Sequence, residues 1–457
     1  MTSEFHHKKI SVLGLGRSGM AACEALHLVG AKVFVSEERG GEEFQEKIPI
    51  LKNLKISYEF GGHSEKILQS EIIVISPGIR LDLPILQEAK KRKTPIMGEI
   101  ELGYRLLPDP FIVAVTGTNG KTTTVALIGE ILKADQRSVL IGGNIVPGQP
   151  LCSLVKEAKP ETILVVEVST FQIETIDKFK PKIGVITNVA PDHLDRHLNF
   201  EEYALLKAKL LSNQDESDYA ILNGNDSTVM KVTQNLKSKR VYFNNKEGNS
   251  EGAFVQNSKV KVRWQGNIEE ICDVSVIRLR GGHNLENVLA AVTVTTILGI
   301  KPEKQAKALS TFSGLPHRLE EVRRINNVLY INNSMCTNPM AAKRSLEAFT
   351  ESVILIAGGK EKETDISIFL ETIVRKTKYT FLIGESALRM KDELQKKYGY
   401  SQVSLASSLE EAVERASKMA SSGDVVLLSP GCASFDMFHN FEERGEKFKK
   451  AVMNLNL

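Results

Sequence analysis

The stretch TGTNGKTT, Thr116–Thr123, limits what this chain can fold into more than any other part of it. It lies between the apolar, β-branched run FIVAVT and the helix-patterned TTTVALIGEILK. A strand that turns through glycines straight into a helix suits nucleoside phosphates, because uncovered backbone N–H groups and the positive end of the helix converge on one spot. Gly117 and Gly120 leave the backbone open. Lys121 offers a charge to the phosphates, and the Thr122 hydroxyl offers an oxygen to Mg²⁺. With Thr118, Asn119 and Thr123 these residues form the expected ATP-binding loop. Val115 stands where the general phosphate loop has its first glycine.

Around this loop, short apolar runs alternate with helix-patterned stretches along the whole chain. That is the pattern of α/β domains with largely parallel sheets. A length of 457 residues fits roughly three domains. The first, 1–108, opens with the strand KKISVLGLG and the helix SGMAACEALHLVG, and later carries the buried strand EIIVISPG. Pro108 and Pro110 punctuate the chain before the second, 109–313, which holds the phosphate loop, the strands TILVVEVS and IGVITNV, and the helix NLENVLAAVTVTTILG. The third, 314–457, has strands at VLYINN, SVILIAGG, YTFLIG and DVVLLSP and ends in a helix over EERGEKFKKAVMNL.

Composition narrows the setting. No apolar run approaches the length of a membrane span, and the N-terminus lacks the apolar stretch and cleavage site of a signal peptide, which predicts a cytoplasmic protein without a membrane partner. With 59 basic and 56 acidic residues, the net charge of +3 argues against a nucleic-acid partner. Cys23, Cys152, Cys272, Cys336 and Cys432 are too scattered for a disulfide framework or a CxxC metal site.

Two further features carry chemistry. Glu167, at the end of TILVVEVS, and Asp192 and His193, after IGVITNV, stand where a parallel sheet presents ligands, and they are candidates for a divalent cation. Gly14, Gly16 and Gly19 in GLGRSG form a GxGxxG, with Glu37 and Glu38 placed like a ribose-binding acid. Read alone, this is the fingerprint of a nicotinamide-dependent oxidoreductase. Beside a separate triphosphate loop, it equally suits the diphosphate of a UDP-linked substrate. On its own residues Lys207 reads as a solvated helix lysine, and Asn284 and Asn287 read as capping residues.

Taken together, GLGRSG, ISPGI, GEIELG, TGTNGKTT, EVSTFQIE, NVAPDHLDRH, GGHNLEN, SGLPHRLE, AGGKEKETD and LSPGCASFDMFHNFEERG resemble the Mur ligase family over nearly the whole chain. The last of these and the short GxGxxG domain favour its D-glutamate-adding branch. The resemblance implies an α/β fold of three domains: a Rossmann-like domain for the UDP substrate, a central P-loop-type ATPase domain, and a C-terminal Rossmann-like domain for the amino acid. It implies an ATP-dependent ligase of peptidoglycan synthesis that adds D-glutamate to UDP-N-acetylmuramoyl-L-alanine through an acyl phosphate, using ATP and two Mg²⁺ ions and acting as a monomer.

By the same resemblance, Lys121, Glu167, His193 and Lys207 are catalytic. Thr122, Glu167, His193 and Lys207 hold metal, and Lys207 matches a lysine that is carbamylated in the family. Asn284, Asn287 and Arg318 contact the nucleotide. Arg17, Ser18, Ser76, Asn144, Ser169 and His193 match the UDP-substrate site, and Thr337, Lys362, Ser434, Phe435 and Phe441 the D-glutamate site. One segment departs: where the family carries Asn-Asp-Ser-Lys-Ala-Thr-Asn, this chain has Asn332, Asn333, Ser334, Met335, Cys336, Thr337, Asn338, which puts two charged contacts near the nucleotide in doubt. The alternatives are a Mur-type ligase for another amino acid, an oxidoreductase, and a non-catalytic nucleotide-binding protein.

Overall fold

Runs of Val, Ile and Leu flanked by glycine turns build four sheets in the computed structural model, which describes residues 3–145, 148–192, 196, 199–244, 250–361 and 365–455. The first sheet comprises β1 (Lys9–Leu13), β2 (Lys32–Glu37), β3 (Ser57–Phe60), β4 (Ile72–Ile75) and β5 (Ile96–Gly98). All pairings are parallel, in the order β3-β2-β1-β4-β5. The second comprises β6 (Phe111–Thr116), β7 (Val139–Gly143), β8 (Ile163–Glu167), β9 (Ile183–Ile186), β10 (Tyr219–Asn223) and β11 (Lys239–Phe243). It too is parallel, ordered β11-β10-β9-β6-β8-β7. In both sheets the strand order reverses beside the strand that leads into a glycine loop, β1 or β6. The crevice at such a switch point, beyond the carboxyl ends of the strands, is where open α/β sheets take their ligands.

Strands β12 (Gly252–Gln256), β13 (Lys259–Trp264) and β14 (Asn267–Asp273) form an antiparallel sheet. The fourth sheet contains β15 (Glu320–Ile325), β16 (Val328–Asn332), β17 (Val353–Gly358), β18 (Thr377–Ile383), β19 (Val403–Leu405) and β20 (Val425–Leu428), ordered β15-β16-β20-β17-β18-β19. Only its edge strand β15 runs antiparallel, against β16. The antiparallel pieces, within the expectation of largely parallel sheets, have a physical reason. Tight turns at Asn257-Ser258, Gln265-Gly266 and Asn326-Asn327 adopt positive φ, and hairpins of this kind need no crossover helix.

The chain forms two compact units: Met1–Val276 with Glu286–Ser310, and Ile277–Leu285 with Thr311–Leu457. In the first, one apolar core runs from the first sheet into the second, through Val12, Leu26, Leu102, Leu151 and Val166. Two acidic residues stiffen that junction. Glu101, fully buried, accepts the backbone N–H groups of Asp177, Lys178 and Phe179 and pairs with Arg105. Glu99, also buried, accepts from Cys152 N at 2.6 Å. In the second unit, apolar side chains cover both faces of the sheet. Among the described residues no helix is long and apolar enough to cross a membrane.

Candidate active site

The glycine loop after β6 is held in shape from β9. Thr118 N donates to Asn188 O at 2.9 Å, and Asn119 N to Asn188 Oδ1 at 3.0 Å. Thr187 Oγ1 donates to Asn119 O at 2.6 Å. Gly120 takes φ +83°, and a Cβ there would lie 2.1 Å from Asn287 Oδ1, so only glycine fits. The helix Lys121–Ala134 then begins with no side-chain cap. A helix start of this kind presents positive potential to an anion. Lys121 folds back over the loop, with Nζ donating to Gly117 O at 2.9 Å and Thr118 O at 3.0 Å.

Beside this loop, β8 delivers Glu167, a carboxylate only 3% exposed. Its Oε2 accepts from Thr122 Oγ1 at 2.7 Å and its Oε1 from Asn144 Nδ2 at 3.1 Å. The parallel register of β6 and β8, with Val115 opposite Glu167, sets this pairing. A hydroxyl and a carboxylate are hard oxygen donors and fit Mg²⁺, which takes one or two carboxylates and keeps waters for its other positions. Among the described residues no group of three or more His, Cys, Asp or Glu side chains is placed to hold a metal ion, so the oxygen pair Thr122–Glu167 carries that fit. His193 lies outside the described residues.

Lys207 corrects the reading of its residues alone. It is 2% exposed, not solvated, and its Nζ lies 4.4 Å from the Tyr203 ring centre. Burial, and next the charge of Lys121, push its pKa well below that of an ordinary lysine, while Asp192 acts the other way. Tyr203, whose OH is 3.2 Å from Thr118 Oγ1, is itself pushed up to about 12 by burial. The structure therefore groups Lys121, Thr122, Glu167, Asp192 and Lys207 around one loop. Thr187, Asn188 and Tyr203 support it and carry no sequence signal beyond their place after β9 and in the helix Phe200–Lys209.

The first sheet contributes its own crevice. Gly19 lies so close to the strand that a Cβ would sit 1.9 Å from Gly14 O. Ser76, at the end of β4, donates to Gly14 O at 3.1 Å, and the helix Arg17–Leu28 starts uncapped, carrying half-buried Ser18 in its first turn. The acid at the end of β2 is already engaged. Glu37 accepts from Leu15 N at 2.7 Å and from Arg39, and these bonds hold its carboxyl below its usual range although burial opposes them. A ribose would have to compete with both. Arg17 reaches the central loop, donating to Gly148 O at 3.2 Å. Ser169 closes a capping box with Gln172. Arg17, Ser18, Ser76, Asn144 and Ser169 thus all lie on loops or helix starts at the carboxyl ends of the two parallel sheets.

In the second unit the departing segment is built as a neutral hub. Asn333 Oδ1 accepts from Leu319 N at 3.1 Å, and its Nδ2 donates to Ser345 Oγ at 2.7 Å and Ser429 Oγ at 3.2 Å. Met335 Sδ lies 3.0 Å from Arg318 Nη2. The guanidinium of Arg444, fully buried, donates to Ser334 Oγ and O, Cys432 O and Ala433 O. All of these acceptors lie outside its own helix, Phe441–Met453, so only the fold exposes its role. Lys360 N donates to Ala433 O at 2.9 Å, which brings the turn after β17 against the loop of Ser434. Phe441 O accepts from Ser334 Oγ at 2.7 Å. Half-buried Thr337, buried Ser434 and half-buried Phe441 therefore share one end of this sheet, whereas Phe435 is 67% exposed. A small pocket opens there, lined by Lys360, Ser386, Arg389 and Cys432 among others. Lys362 lies outside the described residues. Asn284 donates to Arg280 O at 2.7 Å, and Asn287 accepts from Thr124 Oγ1 at 3.4 Å.

The chain is similar to known proteins along nearly its whole length. Residues 8–98 match the Mur ligase MurD-like N-terminal domain, 115–295 the Mur ligase middle domain, and 317–432 the Mur ligase glutamate ligase domain. The chain is 42% identical over 455 residues to the UDP-N-acetylmuramoylalanine--D-glutamate ligase of Thermoanaerobacter sp. (strain X514), covering 99% of each chain. It is 40% identical over 449 residues to the enzyme of the same name from Koribacter versatilis (strain Ellin345), covering 98% of each. In fold it is similar to the MurF ligase of Thermotoga maritima in complex with ADP, with a TM-score of 0.59 at 18% identity, covering 99% of this chain and 97% of that one. Three matched domains in order, full-length relatives and a shared fold make this chain a member of the Mur ligase family.

Proposed function

We propose that this chain is an ATP-dependent ligase that joins D-glutamate to UDP-N-acetylmuramoyl-L-alanine in peptidoglycan precursor synthesis. The observation that carries the proposal is the meeting of an uncapped glycine loop, Lys121 and the Thr122–Glu167 pair at the switch point of the central sheet. The full-length likeness to D-glutamate ligases supports the choice of amino acid over that of other Mur-type ligases. The engagement of Glu37 by Leu15 and Arg39 weighs against a nicotinamide cofactor.

In this reading 1–108 binds the UDP substrate, 109–313 binds ATP, and 314–457 binds D-glutamate. The Gly117–Thr123 loop cradles the triphosphate with its N–H groups and Lys121, while Asn284, Asn287 and Arg318 hold the nucleotide. Thr122 and Glu167 would hold one Mg²⁺, and Glu167, His193 and Lys207 would hold a second. Bound Mg²⁺ supplies positive charge against the phosphates during transfer. The alanyl carboxylate attacks the γ-phosphorus, the bond to the bridging oxygen breaks, and ADP departs. The neutral amine of D-glutamate, held by Thr337, Lys362, Ser434, Phe435 and Phe441, adds to the acyl-phosphate carbonyl. The tetrahedral adduct then expels phosphate and loses the amine proton. The chain's part is to position these groups and stabilise their charge.

The low pKa of Lys207 supports its modification, since only an uncharged amine adds to CO₂, losing a proton to become a carbamate. Such a carbamate gives a hard cation an anionic oxygen. The enzyme acts as a cytoplasmic monomer. Phosphate release measured with ATP and each substrate alone, then with both, tests the proposal. Release should require UDP-N-acetylmuramoyl-L-alanine and D-glutamate together. Release with another amino acid in place of D-glutamate would move the chain to a different branch of the family, and release with neither would remove the ligase reading.

A further inference from the structure

Two arginines cross between the first and second sheets in opposite directions. Arg17, from the first, donates to the carbonyls of Ile145 and Gly148 in the loop after Asn144. Arg196, from the segment after β9, donates to Gly78 O at 3.5 Å and Ile79 O at 3.2 Å in the turn after Ser76. The two differ in how firmly they are held. Arg17 is exposed and bonds carbonyls alone. Arg196 is only 15% exposed at its side chain, pairs with Glu174 Oε2 at 2.8 Å, and lies 4.6 Å from the Phe171 ring centre. Glu174 is in turn tied through its carbonyl to Lys209 Nζ at 2.9 Å, on the helix that carries Lys207. One planar guanidinium thus serves a carboxylate, an aromatic face and two carbonyls at once, which a lysine cannot do.

We infer that Arg196 is a positioning residue for the UDP-linked substrate. It touches no reacting atom. It holds the Pro77–Ile79 turn, and through Ser76 and its bond to Gly14 O the first glycine loop, at a set distance from the Asn144–Glu167 edge of the central sheet. A substrate whose diphosphate end lies on the first sheet and whose carboxylate lies on the second is sensitive to that distance. ATP, whose loop lies on the central sheet alone, is not.

The inference rests on the ligase reading, and steady-state kinetics separate the two. Arg196→Ala should raise KM for UDP-N-acetylmuramoyl-L-alanine by about tenfold or more, the effect of losing two bonds and a charge contact. KM for ATP and for D-glutamate should stay within about twofold. Arg196→Lys, which keeps the charge near Glu174 and loses the fork, should fall between wild type and Arg196→Ala, and it decides the question if the alanine variant does not fold. Titration of UDP-N-acetylmuramoyl-L-alanine in the absence of ATP should show the same weakening. An unchanged KM for the UDP substrate in both variants, or equal rises in all three KM values, would overturn the role of Arg196 while leaving the activity intact. A wild-type enzyme without D-glutamate-dependent phosphate release would overturn both.

Discussion

Lys207 shows how far one side chain can depart from its sequence context. An ammonium with 2% exposure, beside the charge of Lys121, is costly unless it loses its proton. The pH dependence follows from the lowered pKa. Between its folded pKa and the ordinary lysine range the unfolded chain binds the extra proton, so stability attached to this group rises with pH across that window. Lys207→Ala should lower turnover by about a hundredfold or more. Acetate or formate should restore part of it by filling the vacated ligand position. Lys209→Ala, which removes one bond to Glu174 O, should cost about 1 kcal/mol of stability and little activity. Full activity of the Lys207 variant, or greater sensitivity at Lys209, would show that Lys207 has no part in holding metal. Lys121→Ala should cut ATP turnover by about a thousandfold without unfolding the protein, as read by phosphate release and circular dichroism. Wild-type turnover there would end the case for the phosphate loop.

At the scale of elements, the helix Glu99–Leu106 against Leu151–Leu154 joins the first two sheets, and it carries a buried acid at its start. Burial pushes the Glu99 carboxyl up to about 7, although Cys152 N donates to it. Its folded pKa therefore lies above the unfolded value. The associated stability is complete below about pH 4.5 and is lost as pH rises through about 7. That shift is worth about 3 kcal/mol. Melting temperatures of wild type and Glu99→Gln should start close at low pH and separate toward pH 8, with wild type falling and the variant staying flatter, because only wild type ionises a buried acid. Parallel curves would mean that Glu99 stays ionised in the folded chain. The elements that bear ligands were legible beforehand because glycine, threonine and lysine at fixed spacing leave few other foldings. The antiparallel β12–β14 sheet was not, since short charged strands such as NIEEICD lack both the apolar run and a clean alternation.

For the whole molecule, the proposed function divides the ligands between the two glycine loops. Both stand at switch points of parallel sheets, yet only the central one has Thr122 and Glu167 beside it, and the first has its acid tied to Leu15 and Arg39. Calorimetric titration should show binding of UDP-N-acetylmuramoyl-L-alanine and none of NAD. Tight NAD binding without UDP-substrate binding would restore the oxidoreductase reading.

Much of this was present in local spacing. GLGRSG and TGTNGKTT announce uncovered backbone at helix starts, because close approach and positive φ demand glycine whatever surrounds them. The alternation of apolar runs with helical periods announces α/β layers, because each period buries one kind of face. Other properties exist only once distant segments meet. Glu167 reads as a strand-end acid until register sets it 2.7 Å from Thr122. Lys207 reads as a surface lysine until Tyr203 and its neighbours exclude water from it. Arg196 finds Gly78 O and Ile79 O, and Arg444 finds Ser334 Oγ and O, on segments more than a hundred residues away. Burial and long-range hydrogen bonding belong to pairs of segments, so no local pattern records them. They are what turn a set of recognisable motifs into a site with defined charges and distances.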